Sequence, residues 1–183
     1  MHVSLKHLIG TVTLMSLIIS AGYSYTLITS YMEAQILRGQ LQQIAEYVAL
    51  NLVEVINLVK FSSWSSTEPT YKVLKLPNDL GGRAFMIELL NETVKGKGCY
   101  IRTKLVIRGD IEASSPIPIN TTEFGIRLWY LNATESEEDR IETKGGYINR
   151  TNGMVYSGHE IVVWVRIEDT ITAGLGILDR SGS

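Results

Sequence analysis

LIGTVTLMSLIISAGYSYTLITSYM, residues 8–32, contains no charged side chain, and its reading decides the fold of the whole chain. Between Lys6 and Glu33 the uncharged run is 26 residues long. A helix needs about 20 apolar residues to cross a hydrocarbon core of roughly 30 Å, so this run can span a bilayer with some tilt. Thr11, Thr13, Ser16, Ser20, Ser24, Thr26, Thr29 and Ser30 interrupt it. Inside a helix such hydroxyls bond back to carbonyls one turn earlier, and small residues such as Gly22 let helices approach closely in lipid. Tyr23, Tyr25 and Tyr31 suit the outer interface, and Lys6 before the run with Glu33 after it places the N-terminus inside and the rest outside. A secretory signal cleaved near Ser20-Ala21-Gly22 is the competing reading.

Past the run the helical pattern continues. From Tyr31 to Lys60 there is no proline, and Gly39 is the one glycine. Leu37, Leu41, Ile44, Val48, Leu52, Val55 and Val59 recur at heptad-like spacing, the mark of an apolar stripe on a helix. The sequence predicts one helix from Leu8 to Lys60, about 80 Å long at 1.5 Å per residue. It should stop near Phe61, where FSSWSSTEP brings serines and Pro69. A cleaved signal peptide has no use for an unbroken helix beyond its cleavage site. The stripe can cover the chain's own sheet or meet neighbouring copies. Its continuity with a membrane run rich in small residues favours neighbours, so these seven residues are expected to form an assembly face. On that footing residues 68–183 should fold alone as a β-rich unit.

After Tyr71 the apolar period shortens to two. FMIELL comes after the turn glycines Gly81 and Gly82, CYIRTKLVIRG and HEIVVWVRIE alternate, and TITAGLGIL sets Ile171, Ala173, Leu175 and Ile177 against Gly174 and Gly176, which permit close approach. Asn152-Gly153 in GYINRTNGMVYSG is a strong hairpin signal, and SSPIPIN suggests an irregular crossover. Seven or eight short strands are expected. The fold class is therefore α+β: a long N-terminal transmembrane and amphipathic helix (1–60), a linker (61–70) and an extracytoplasmic antiparallel β-sandwich (71–183).

The chain carries 17 Lys+Arg and 19 Asp+Glu among 183 residues. With no basic block, it offers nucleic acid no electrostatic footing. Cys99 is the only cysteine, so an intrachain disulfide is excluded, and a buried filler is the expectation for it. No histidine pair has metal-ligand spacing, and no phosphate loop, dinucleotide fingerprint or nucleophile elbow occurs. The acidic group Glu135, Glu137, Glu138 and Asp139 lacks the ordered pattern of a calcium loop. Neither a cofactor nor enzymatic activity is expected. Trp64, Trp129 and Trp164 are expected to cover a sandwich end rather than to form a binding platform. Four Asn-x-Thr sequons, at Asn91, Asn120, Asn132 and Asn149, all fall in the β region and make those asparagines glycosylation candidates outside the membrane.

VSLKHLIGTVTLM, residues 3–15, resembles the start of archaeal type IV pilins and pilin-like surface proteins. Ser4, Ile9, Gly10, Thr11, Leu14 and Met15 carry the likeness, with one or two extra residues between Ser4 and Ile9. The resemblance implies a filament in which such helices pack as the core and β-sandwiches form the outer surface. Family members have a short leader that ends in a basic residue and a glycine or alanine. Here Met1-His2 precedes Val3, and Lys6 lies too far from Gly10. An upstream start or an unprocessed protein would account for this. Anchored proteins of the archaellum motor share the layout without polymerising. The expected protein is thus a single-pass surface protein that assembles through its N-terminal helix as a filament subunit or minor pilin. Its partners would be the membrane, other subunits and a cell-wall layer. A membrane-anchored binding module that grips the wall is the alternative, and a signal-cleaved secreted lectin or enzyme the second.

Overall fold

The structure is a computed structural model that describes residues 2–61, 68–92, 98–119, 125–129, 140–143, 146–167 and 170–180, with side chains from Lys6 onward. One helix, α1 (His2–Phe61), is succeeded among the described residues by ten strands: β1 (Thr70–Val73), β2 (Phe85–Asn91), β3 (Cys99–Leu105), β4 (Glu112–Pro116), β5 (Ile126–Trp129), β6 (Arg140–Thr143), β7 (Gly146–Arg150), β8 (Met154–Tyr156), β9 (Ile161–Ile167) and β10 (Ile171–Asp179). The α+β class and the long apolar N-terminal helix stand, and the helix ends at Phe61 as its serine-rich sequel predicts. The chain divides into two compact units inside that helix, Met1–Leu37 and Arg38–Ser183. Residues 62–67, including Trp64, lie outside the described residues.

In the first unit the helix is uncovered. From Lys6 to Ile36 no side chain is buried. In the second, the helix is part of a core. Leu41, Ile44, Ala45, Val48, Ala49, Leu52, Val55, Ile56 and Val59 are all buried, a wide apolar face of the kind a core-facing helix presents. It is tied to both sheets. The Thr103 hydroxyl on β3 donates to the Leu41 carbonyl at 2.9 Å, and Lys72 on β1 reaches Glu54 at 2.7 Å.

The sheets are open rather than closed. The smaller has the order β4-β3-β2-β8, and the larger runs β1-β9-β10-β7-β6 with β5 also on β10. Every pairing is antiparallel except β5 with β10. β10 holds three partners: β9 along one edge, β5 at Ile171–Gly174 and β7 at Gly176–Asp179. Inward positions alternate as the sequence predicts, with Phe85, Ile87 and Leu89 on β2 beside Ile101, Thr103 and Leu105 on β3, all buried.

Two sequence expectations fail here. Asn152-Gly153 does not close a hairpin. Gly153 has φ 70°, as the dipeptide predicts, but β7 belongs to the larger sheet and β8 pairs with β2 in the smaller. The turn residues set where the chain bends, and the faces of the flanking strands set where each half pairs. Residues 114–116 of SSPIPIN belong to β4. It is an edge strand that ends in Pro116, where a missing N–H costs least.

The larger sheet has a second apolar layer. Val162 and Trp164 of β9, Ile148 of β7, Ile141 of β6, Trp129 of β5 and Leu178 of β10 form one buried cluster, with Tyr71 and Val73 of β1 packed on it. The glycines of β10 make room for it. A Cβ on Gly174 would stand 2.9 Å from the Trp164 ring, and one on Gly176 would stand 2.6 Å from Ile148. The close approach foreseen for these glycines is made by side chains of neighbouring strands.

Candidate functional site

The candidate site is the uncovered half of α1. Residues 8–32 present Leu8, Ile9, Val12, Leu14, Met15, Leu17, Ile18, Ile19, Leu27 and Ile28 to the outside, each more than half exposed. By length and composition this helix can cross a membrane. Five of its hydroxyls are turned back on the backbone. Thr13 donates to the Ile9 carbonyl at 2.8 Å, Thr26 to Gly22 at 2.9 Å, Thr29 to Tyr25 at 3.0 Å and Ser30 to Leu27 at 3.0 Å. Thr11 shares its hydroxyl between the His7 and Leu8 carbonyls. Hydroxyls satisfied within their own helix need no water, the condition hydrocarbon imposes on any polar group. Gly10 and Gly22 have nothing within 4 Å of where a Cβ would stand.

The residues expected to form an assembly face are buried within this chain. Leu41, Ile44, Val48, Leu52, Val55 and Val59 lie in the core of the second unit, and Leu37 is buried too. The stripe covers the chain's own β strands because those strands present an apolar inner face with no other cover. The large apolar residues that positions 38–61 of α1 leave outside are Tyr47, Leu50, Leu58 and Phe61, a set the heptad reading passed over because charged and amide residues lie between them.

Of the sequon asparagines, Asn91 is exposed at the end of β2, and Asn149 is half-buried within β7, paired on both sides with Arg140 and Ile177. Asn120, Asn132 and the acidic group at 135–139 lie outside the described residues. Trp129 and Trp164 are buried, with the Trp164 indole N–H donating to the Leu175 carbonyl at 3.0 Å. The Arg150 guanidinium lies 5.3 Å from the Trp129 ring and 5.5 Å from the Trp164 ring, within cation–π range. These rings are core, not a platform. Cys99 is half-buried where β3 opens.

A charged cluster that sequence reasoning missed sits on the outer face of the smaller sheet. Glu88 is only 3% exposed, yet Arg102 meets one carboxylate oxygen at 2.6 Å and Lys104 the other at 2.7 Å. Burial works against the Arg102 charge, but the hydrogen bond and the charge of Glu88 outweigh it and raise its pKa. Beside it the Tyr100 phenol is pushed up by burial first and by the Glu92 carboxylate second. A carboxylate with both oxygens engaged by cations of its own sheet is a structural pair rather than a free acid or base. Among the described residues no group of three or more His, Cys, Asp or Glu could hold a metal ion.

No known family, curated protein or solved structure matches the chain.

Proposed function

We propose that the protein is a single-pass, pilin-like surface protein. It works by assembly and binding rather than by catalysis. Residues 8–32 lie in the membrane with the N-terminus inside. The β unit stands outside, its two sheets packed as a sandwich over the second half of the helix and glycosylated at exposed sequons. The observation that carries this reading is the apolar, internally hydrogen-bonded and uncovered first half of α1. Such a surface needs an apolar cover, and lipid or the same helices of other copies would each supply one. Subunit contacts in a filament would then run through residues 8–36, with Leu50, Leu58 and Phe61 added on the outer face, and not through the buried stripe.

The burial of that stripe favours a second reading, a permanent anchor that binds a wall layer through its ectodomain, because an anchor's helix need only cover its own sheet. Shearing cells and separating filaments from membranes distinguishes the two. Recovery of the chain in sheared filaments, with residues 8–36 intact by mass spectrometry, supports the subunit. Retention in the membrane fraction alone supports the anchor. A mature N-terminus between Gly22 and Tyr25 would overturn both in favour of secretion.

A further inference from the structure

Within the second unit a groove runs between residues 40–47 of α1 and the connection 74–84 that joins β1 to β2. Gln40, Gln43 and Tyr47 line one side, and Lys75, Pro77 and Asp79 the other. The three helical residues are spaced i, i+3 and i+7, which stacks them on one face. The connection is held in shape. Leu74 N–H donates to the Ile161 carbonyl at 2.8 Å at its start, and its end is fixed by Val106 N–H on the Ala84 carbonyl at 3.0 Å. Between them Leu80 N–H donates to the Arg83 carbonyl at 2.9 Å, and Gly82 N–H to the Asp79 carboxylate at 2.8 Å. Both sides are set before anything binds, which spares a ligand the cost of ordering them. The hollow measures about 460 Å³, within the roughly 300–1,000 Å³ of small-molecule sites.

The chemistry of the lining narrows the occupant. Lys75 and Asp79 are its charged residues, so their charges cancel and an ion of neither sign is favoured. The Gln40 and Gln43 side chains are exposed, while neighbouring Gln35 and Gln42 spend their amides on Tyr31 and Glu46. Each amide offers donors and an acceptor together, the match for a hydroxyl group, which is also both. Tyr47, 37% exposed, adds a ring face and a phenol, and Pro77 adds a second apolar surface. One side of the groove is helix and the other belongs to no strand, so an extended peptide would find no ladder edge to pair with. An uncharged ligand with hydroxyls round its rim and a C–H face for an aromatic ring is a pyranose sugar.

We propose that this groove binds a neutral glycan. One sugar ring lies against Tyr47, and its hydroxyls bond to Gln40 and Gln43 from the helix and to Lys75 and Asp79 from the connection. This rests on the reading of the ectodomain as a module that binds a wall layer, and it names the ligand class and the residues that hold it.

The test uses the full chain, labelled with heavy nitrogen at glutamine, in micelles of a detergent without a sugar headgroup. The chain has four glutamines, Gln35, Gln40, Gln42 and Gln43, so two side-chain amides report on the groove and two serve as controls. Cellobiose, mannobiose and chitobiose are titrated in, with digalacturonate as the charged comparison and a proline-rich peptide as the polypeptide one. A neutral disaccharide should shift the Gln40 and Gln43 amides saturably and leave those of Gln35 and Gln42 in place. Tyr47→Ala and Gln43→Ala should each weaken binding by about tenfold or more, and Gln42→Ala should not change it. Tyr47→Phe keeps the ring and should bind within a few-fold of the unmodified chain, which separates loss of stacking from loss of fold. Equal shifts at all four glutamines, binding of digalacturonate or the peptide alone, full affinity in Tyr47→Ala, or no shift with any of the three disaccharides would each overturn the proposal.

Sedimentation with the wall layer isolated from native cells separates the groove from the reading beneath it. Wall binding that a disaccharide competes away supports both. Wall binding that none competes away, with Gln40 and Gln43 unmoved, overturns the groove and leaves the wall reading standing. Absence of wall binding while a disaccharide moves Gln40 and Gln43 would sink the wall reading and support the groove.

Discussion

Val48 is fully buried at the centre of the stripe, so Val48→Asp places an unpaired carboxylate among aliphatic neighbours. It should destabilise the β unit by about 3–5 kcal/mol, seen as a large fall in melting temperature; an unchanged melting temperature would return the stripe to the surface. Gly174→Ala presses a methyl group on Trp164 and the Trp129 Cβ, 2.9 and 3.0 Å away. Both neighbours are packed, so the expected loss is about 1–3 kcal/mol, measurable by denaturant titration. Of the two described sequon asparagines, Asn91 should carry glycan in native material and Asn149 should not, because a mid-strand, half-buried amide is hard for a transferase to reach. Peptide mapping that found the reverse would contradict the placement of β7. The buried state of Glu88 was not legible in FMIELL. Its sequence position marks an outward-facing acid, and only the register that sets Arg102 opposite it, together with Lys104 within reach, shows why it can be covered.

At the level of elements, the helix could be read from its own letters. Residues 8–60 hold no proline, their apolar spacing is regular, and Ser62 to Pro69 break the pattern. The strands 85–91, 99–105, 161–167 and 171–179 could be read from alternation. Their partners could not, because period and turn chemistry are local while pairing depends on which apolar faces meet. The Asn-Gly turn between sheets and the parallel β5–β10 pair are both cases of this. The same limit explains the stripe: a periodic apolar face announces that it will be covered, not by what. Because the apolar face of residues 41–59 is core, a chain of residues 68–183 should fail to give a cooperative thermal transition, and one of residues 38–183 should melt as a single unit. Equal behaviour of the two fragments would show that the sheets need no helix.

For the whole molecule, the anchor reading has a topological outcome. Protease added to intact cells should remove the β unit and leave a small fragment containing residues 8–32 in the membrane. Full protection of the β unit, released only on lysis, would reverse the orientation inferred from Lys6 and Glu33. The candidate membrane run was open to sequence inspection, since charge-free length is a property of one segment. The cover of the helix's second half was not, since it depends on residues far along the chain, such as Thr103 against Leu41, 62 positions apart.

β10 is both the last strand among the described residues and the one that holds β9, β7 and β5 together. During synthesis, then, the strands that will flank it emerge first and have no common partner. Folding of the larger sheet cannot proceed vectorially from the N-terminus; it has to wait for residues 171–179 to emerge. Until then the helix stripe and the apolar faces of β9 and β7 stand uncovered, the state in which chains aggregate or meet proteases. A chain cut before Ile171 would lack the strand that joins the rest, so β10 acts as a check on assembly: the larger sheet matures only in molecules that contain residues 171–179.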